Sequence, residues 1–175
     1  MRTATIFGFL IVVLLGACGH KGIAYRTPSH SMAPAIDEND MVIVNPLAYV
    51  SDPIQRFDIV VFQAPESLKE RSGQVGKDVI YFKRVAALPG EKVEVREDEL
   101  YINGQHVDQP FEVTKVDTDP KRNYGPITVP QNEYFLLGDN RPNSNDSRYY
   151  SHPTIRKEDI YSKVIEVKKG FYDKK

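Results

Sequence analysis

The sequence has no tryptophan, one cysteine and four histidines in 175 residues. A single cysteine excludes an internal disulfide. None of His20, His30, His106 and His152 stands at metal-ligand spacing from the cysteine or from a second histidine, which argues against zinc. No cofactor is expected. Charge of one sign is also lacking. The 23 Lys and Arg against 24 Asp and Glu leave a net charge of −1, with no bulk attraction to nucleic acid or to an anionic surface. Repeats and low-complexity tracts are absent, and so is any convincing amphipathic helix beyond a short stretch near "IRKED". The length fits one domain, or one domain with a small insertion.

The first twenty residues differ from the rest. After Arg2, an unbroken apolar run extends from Ala4 to Cys18. A charged start followed by such a run reads as a targeting or anchoring segment over residues 1–19. As a helix the run spans roughly 22 Å, short of the roughly 30 Å hydrocarbon core. Cys18 supplies a second reading. "LLGAC" is similar to the lipobox of bacterial lipoproteins, in which the cysteine is lipidated and becomes the N-terminus. Both readings tether residues 20–175 to membrane lipid outside the cytoplasm.

Beyond residue 24 the pattern is mainly β. Runs at 41–45, 58–63, 79–87, 91–97 and 133–139 are rich in Val, Ile, Tyr and Phe. Asn103-Gly104 sits between apolar runs, a strong hairpin signal. A last strand is expected through "YSKVIEVKK". Residues 64–77 and 115–126 read as exposed loops. Many short strands with regular turns predict a closed or sandwiched antiparallel domain.

The segment "RTPSHSMAP", Arg26–Pro34, holds two serines around His30. A serine hydroxyl needs a base within hydrogen-bond reach to become a nucleophile. Prolines on both sides favour an extended chain, and on an extended chain His30 points away from Ser31. Ser29 and Ser31 share a face, so the Ser29 hydroxyl and the Ser31 N–H are candidate donors to an oxyanion. A local turn bond is the alternative for Ser29. In "VIYFKRVAALPG", alternation places Tyr81, Lys83 and Val85 on one face and Phe82 and Arg84 on the other. Burial would push Lys83 towards a neutral amine able to accept a serine proton. An edge strand with a snorkelling lysine is the competing reading. "LLGDNRPNSNDSRYY" reads as a hydrogen-bonded shelf, with Asp146 and Arg148 able to pair with each other or with Arg84, and Ser144 able to orient an amine.

Four motifs appear in order: "PSHSMAP", "RFDIVVF", "YFKRVAALPGE" and "GDNRPNSNDSR". They resemble the conserved boxes of the type I signal peptidases, membrane-tethered Ser/Lys endopeptidases. They span Pro28 to Arg148, most of the chain after the apolar run. The resemblance implies a barrel-like antiparallel β fold with a small β subdomain, placed here at 98–128. It implies Ser31 as nucleophile, Lys83 as general base, and Ser29 with Ser31 as the oxyanion hole. Ser144 would orient the amine, and Asp146, Arg148 and Arg84 would form a supporting salt bridge. Tyr25, Met32, Tyr81 and Phe82 would line shallow pockets for the small residues before the cut in a preprotein signal peptide. Phe57, Ala87, Ser151 and Ser162 depart from the family's usual glycines. A maturation peptidase of narrow range, or a catalytically silent assembly factor, are the rival functions.

Overall fold

The structure, a computed structural model, describes residues 22–65, 69 and 80–171. The expected anchor and Cys18 lie outside the described residues, as does most of the expected loop 64–77. The elements in chain order are β1 (Ile23–Arg26), β2 (Met41–Asn45), α1 (Ala48–Ser51), β3 (Ile59–Gln63), β4 (Ile80–Ala87), β5 (Lys92–Arg96), β6 (Glu99–Ile102), β7 (Gln105–His106), β8 (Tyr124–Thr128), β9 (Glu133–Leu137), β10 (Ile155–Arg156) and β11 (Ile160–Lys168). Among the described residues no helix is long and apolar enough to cross a membrane.

The strands form two antiparallel sheets. The larger has the order β1-β2-β11-β3-β4-β9-β10, and the smaller β7-β6-β5-β8. This is the mainly β, antiparallel architecture that the alternating apolar pattern predicts. β4 lies between β3 and β9, in the interior of the larger sheet. Its register places Lys83 opposite Val60 and Arg84 opposite both Ile59 and Leu137.

Val60, Phe62, Val85 and Leu136 form one buried cluster. Phe135, Leu137 and Ala87 pack with Val93, Val95 and Leu100, and this joins the two sheets. A third cluster, Met32, Ile36, Val42, Val44 and Val61, holds the Ser31 segment. Each fully buried side chain of this size contributes about 1.5–3 kcal/mol.

Three local features differ from the sequence reading. The smaller sheet begins at Lys92 rather than at 98, because β5 pairs both with β6 and with β8. β8 runs through a stretch read as loop up to 126. Gly125 and Pro126 look like turn residues, but here Gly125 sits at φ +89° in an irregular pairing with β5, and a Cβ there would lie 2.8 Å from the Val93 carbonyl. "IRKED" contributes a single 3-10 turn at Lys157–Asp159 instead of a helix. The Asn103-Gly104 hairpin is present, with φ of +53° and +82° at the two turn residues.

Candidate active site

Ser31 begins a tight turn. Ala33 N–H donates to the His30 carbonyl at 3.0 Å, and Ile36 N–H donates to the Met32 carbonyl at 2.9 Å. Met32 and Ile36 are buried in the third apolar cluster, so the turn is anchored by side-chain packing next to the serine. Asn140 clamps the same turn. Its backbone N–H donates to the Ser31 carbonyl at 3.2 Å, and its side-chain amide donates to the His30 carbonyl at 3.1 Å.

Lys83 reaches this turn from β4. Its Nζ donates to Ser31 Oγ at 2.7 Å and to the Phe82 carbonyl at 3.0 Å. Lys83 is 1% exposed and on an interior strand, which removes the snorkelling reading. Burial pushes its ammonium down to about 8, against the pull of the Asp146 and Asp139 carboxylates. A substantial neutral fraction therefore exists at mildly alkaline pH. His30 points the other way. It is exposed, with Nδ1 2.5 Å from Asp37 and Nε2 3.1 Å from Glu38, and Asp37 raises its pKa. Ser29 lies beside Ser31, and its Oγ accepts the Ser31 N–H at 3.2 Å.

The polar loop after β9 forms a fully buried network. Arg148 donates to Asp146 through Nε at 2.9 Å and Nη2 at 3.0 Å, and to Asp119 through Nη1 at 3.1 Å. Asp146 also accepts the Gly138 N–H at 3.1 Å. Asp119, Asp139, Asn140 and Arg141 were not singled out by the sequence reading. Arg84 departs from its expected partners. It forks onto Asp139, at 2.8 and 2.6 Å, instead of joining Asp146 and Arg148. The register explains this: Arg84 is paired with Leu137, and Asp139 lies two residues further along on the same face.

Ser144 is buried, but its Oγ makes no hydrogen bond to Lys83 or to any other described residue. It packs against Gly138. A Cβ at Gly138 would stand 2.1 Å from Ser144 Oγ and 2.5 Å from the Ser31 carbonyl oxygen. Gly138→Ala is therefore expected to lower stability by about 2–3 kcal/mol and kcat by about 100-fold, through displacement of Ser31. Thermal unfolding and a cleavage assay check this, and an unchanged kcat would contradict it.

Tyr25, Met32 and Phe82 meet in one apolar cluster, with the Tyr25 and Phe82 rings 6.1 Å apart. Tyr81 does not join them. Alternation turns it to the other face, where its ring lies 6.2 Å from Phe62 and 5.6 Å from Lys83 Nζ. Two cavities of about 380 and 400 Å³ are bordered by His152 and by Tyr49, and neither is lined by Ser31. Among the described residues no group of His, Cys, Asp and Glu is arranged to hold a metal.

Comparison with known proteins places the chain in a family. The family model described as "Signal peptidase, peptidase S26" matches residues 1–167. The chain is 34% identical over 165 residues to signal peptidase I of Leptolyngbya laminosa, covering 94% of this chain and 77% of that protein. It is 39% identical over 135 residues to signal peptidase I S of Bacillus subtilis, covering 71% of this chain and 65% of that protein. The crystal structure of a signal peptidase I from Enterococcus faecalis superposes with a TM-score of 0.50 at 32% identity, covering 66% of this chain and 98% of that one. The chain belongs to the peptidase S26 family of signal peptidases, which are serine endopeptidases.

Proposed function

We propose that this chain removes signal peptides from exported preproteins by a Ser31–Lys83 dyad, with its catalytic domain tethered outside the cytoplasm by residues 1–19. The observation that carries the dyad is the 2.7 Å contact between Ser31 Oγ and a lysine that is nearly inaccessible to solvent. Neutral Lys83 takes the Ser31 proton as Oγ bonds to the scissile carbonyl carbon. The Ser31 N–H leaves Ser29 Oγ for the developing oxyanion, and the Ser29 hydroxyl turns to donate beside it. Lys83 then returns its proton to the leaving amine as the C–N bond breaks. Water, activated by the same amine, hydrolyses the ester. Asp146 and Arg148 keep the Gly138–Ser144 shelf in place, with Ser144 beside the dyad. The cluster of Tyr25, Met32 and Phe82 offers shallow apolar contacts that suit small residues such as Ala-x-Ala before the cut.

The test is cleavage of a secretory preprotein by the full-length protein in detergent micelles. A cut after Ala-x-Ala that disappears in Ser31→Ala supports the reading, and an inert wild type overturns it. Mass spectrometry of the mature N-terminus distinguishes a lipidated Cys18 from an uncleaved anchor.

A further inference from the structure

Phe57 has φ +73°. A bulky side chain enters the left-handed region only where its surroundings hold it there. Here both sides of the backbone are held. The Phe57 N–H donates to the Val85 carbonyl at 2.8 Å, and its own carbonyl accepts from Arg84 Nη1 at 2.9 Å. The Phe57 ring meets Phe111 edge to face, with centroids 5.2 Å apart. The Arg84 guanidinium lies 3.8 Å from the centre of the Phe111 ring. Phe111 rides on a strap that is tied to the polar loop. Thr114 N–H donates to the Asp139 carbonyl at 2.9 Å, and the Thr114 carbonyl accepts from Arg141 N–H at 3.0 Å. The space left around this packing is about 10 Å³, room for one water at most.

The pair enclosed in this way is Arg84–Asp139, with 11% and 1% of the two side chains exposed. Its importance lies in the neighbour. Asp139 and Asp146, both on the loop after β9, are the carboxylates whose fields reach Lys83. β4 itself adds the Tyr81 ring near Nζ. β3 places only Val60 opposite, and the Ser31 turn brings the serine hydroxyl with His30 turned outward. Asp146 is neutralised by Arg148, and Asp139 by Arg84.

We propose that Phe57 and Phe111 form an aromatic clamp that keeps Arg84 locked on Asp139, and that the clamp sets the pH at which the enzyme becomes active. Both are positioning residues that act through Arg84 and Asp139 on Lys83, and the proposal rests on the Ser31–Lys83 reading. An Arg84 held in a two-pronged pair cancels most of the Asp139 field. Once unlocked, the carboxylate favours the ammonium form of Lys83, which cannot take a proton from Ser31. Water entering beside β4 eases the burial of that ammonium and acts in the same direction. Arg84 sits on β4 directly after Lys83, so the lock also fixes the strand that carries the base.

The experiment uses the full chain in detergent micelles. kcat/KM is measured from pH 6 to 10.5 for wild type, Phe111→Leu, Phe111→Tyr and Phe57→Gly. In parallel, Lys83 is titrated by NMR with ε-13C-labelled lysine, its resonance being the one missing from Lys83→Met. Phe111→Leu is expected to move both midpoints up by about 0.5–1 pH unit, which lowers the rate at pH 7.5 by roughly three- to tenfold and leaves the alkaline plateau in place. Phe111→Tyr keeps the wild-type midpoint. Phe57→Gly suits the left-handed backbone, so it keeps the fold and yet shifts the midpoint in the same direction. Unmoved midpoints in Phe111→Leu and Phe57→Gly, with the wild-type rate still following the Lys83 resonance, overturn the clamp alone. A wild-type rate that does not follow that resonance overturns the Ser31–Lys83 reading and the clamp with it.

Discussion

Lys83→Met is expected to lower kcat/KM for signal-peptide cleavage by at least about 1,000-fold and, at neutral pH, to make the folded chain more stable. Loss of activity follows from removing the amine that contacts Ser31 Oγ. The gain in stability follows from linkage. The lysine has an ordinary value of 10.5 and is pushed down by burial to about 8 in the fold. Above 10.5 both folded and unfolded chains are neutral at this position, and there is no penalty. As pH falls from 10.5 to 8, the unfolded chain binds a proton that the folded chain does not, and stability drops. Below 8 the loss is complete, on the order of 3 kcal/mol. Methionine fills a similar volume without charge. It forfeits the bonds to Ser31 and to the Phe82 carbonyl, about 1 kcal/mol each. The net expectation is a gain of about 1–2 kcal/mol at pH 7 that fades by pH 10.5, a rise of a few degrees in Tm. Urea unfolding of wild type and variant at both pH values measures it. A variant less stable than wild type at pH 7 would contradict the burial argument.

Arg148→Met is expected to have the largest effect on stability. Arg148 is completely buried between Asp146, Asp119 and Asp98, and its guanidinium also donates to the carbonyls of Arg141 and Lys121. Removing Arg148, the only cation ion-paired with Asp146 among the described residues, leaves uncompensated carboxylates in the interior. The expected cost is about 3–5 kcal/mol, a fall in Tm of about 10 °C or more. Activity falls as well, because Asp146 holds the Gly138 N–H beside Ser144 and Ser31. The pH dependence has a defined sign. Burial already raises Asp98 above the usual carboxylate range, with Arg148 pulling it back down. Without Arg148 the Asp98 carboxyl rises further. The deficit is then smallest at low pH, where Asp98 is protonated, and grows as pH rises through its raised folded value. Thermal unfolding from pH 4.5 to 8 tests this. A deficit under 1 kcal/mol that does not change with pH would show that the network is stabilised otherwise.

The sequence carried the local parts of this site and not the pairings that depend on strand order. His30 turns outward as expected, but alternation along an extended segment is not the reason, because His30 and Ser31 lie in a turn closed by Ala33 N–H. β2, β4, β5 and the Asn103-Gly104 hairpin were readable from β-branched runs and from turn chemistry. Whether Lys83 was buried or snorkelling depended on β4 lying between β3 and β9, and no local pattern records that order. Arg84 was assigned to Asp146 and Arg148 for the same reason. Its true partner, Asp139, follows only from the register that sets Arg84 opposite Leu137. Tyr81 and Phe82 were both expected to line the shallow pockets before the cut; alternation sets them on opposite faces, and Phe82 is the one that joins Tyr25 and Met32. β8 was hidden by Gly125 and Pro126, residues that usually mark turns. Phe57 was visible as a departure from glycine, and its left-handed backbone gives that departure a physical meaning.

The central claim is that a neutral Lys83 serves as the base for Ser31. The most direct test is the pH dependence of kcat/KM for preprotein cleavage from pH 5 to 10, in wild type and in His30→Asn. The expected result is a logarithmic rate that rises with unit slope, bends at about 8 where Lys83 loses its proton, and is the same in both proteins. A bend that disappears in His30→Asn would instead make a histidine the base and contradict the account.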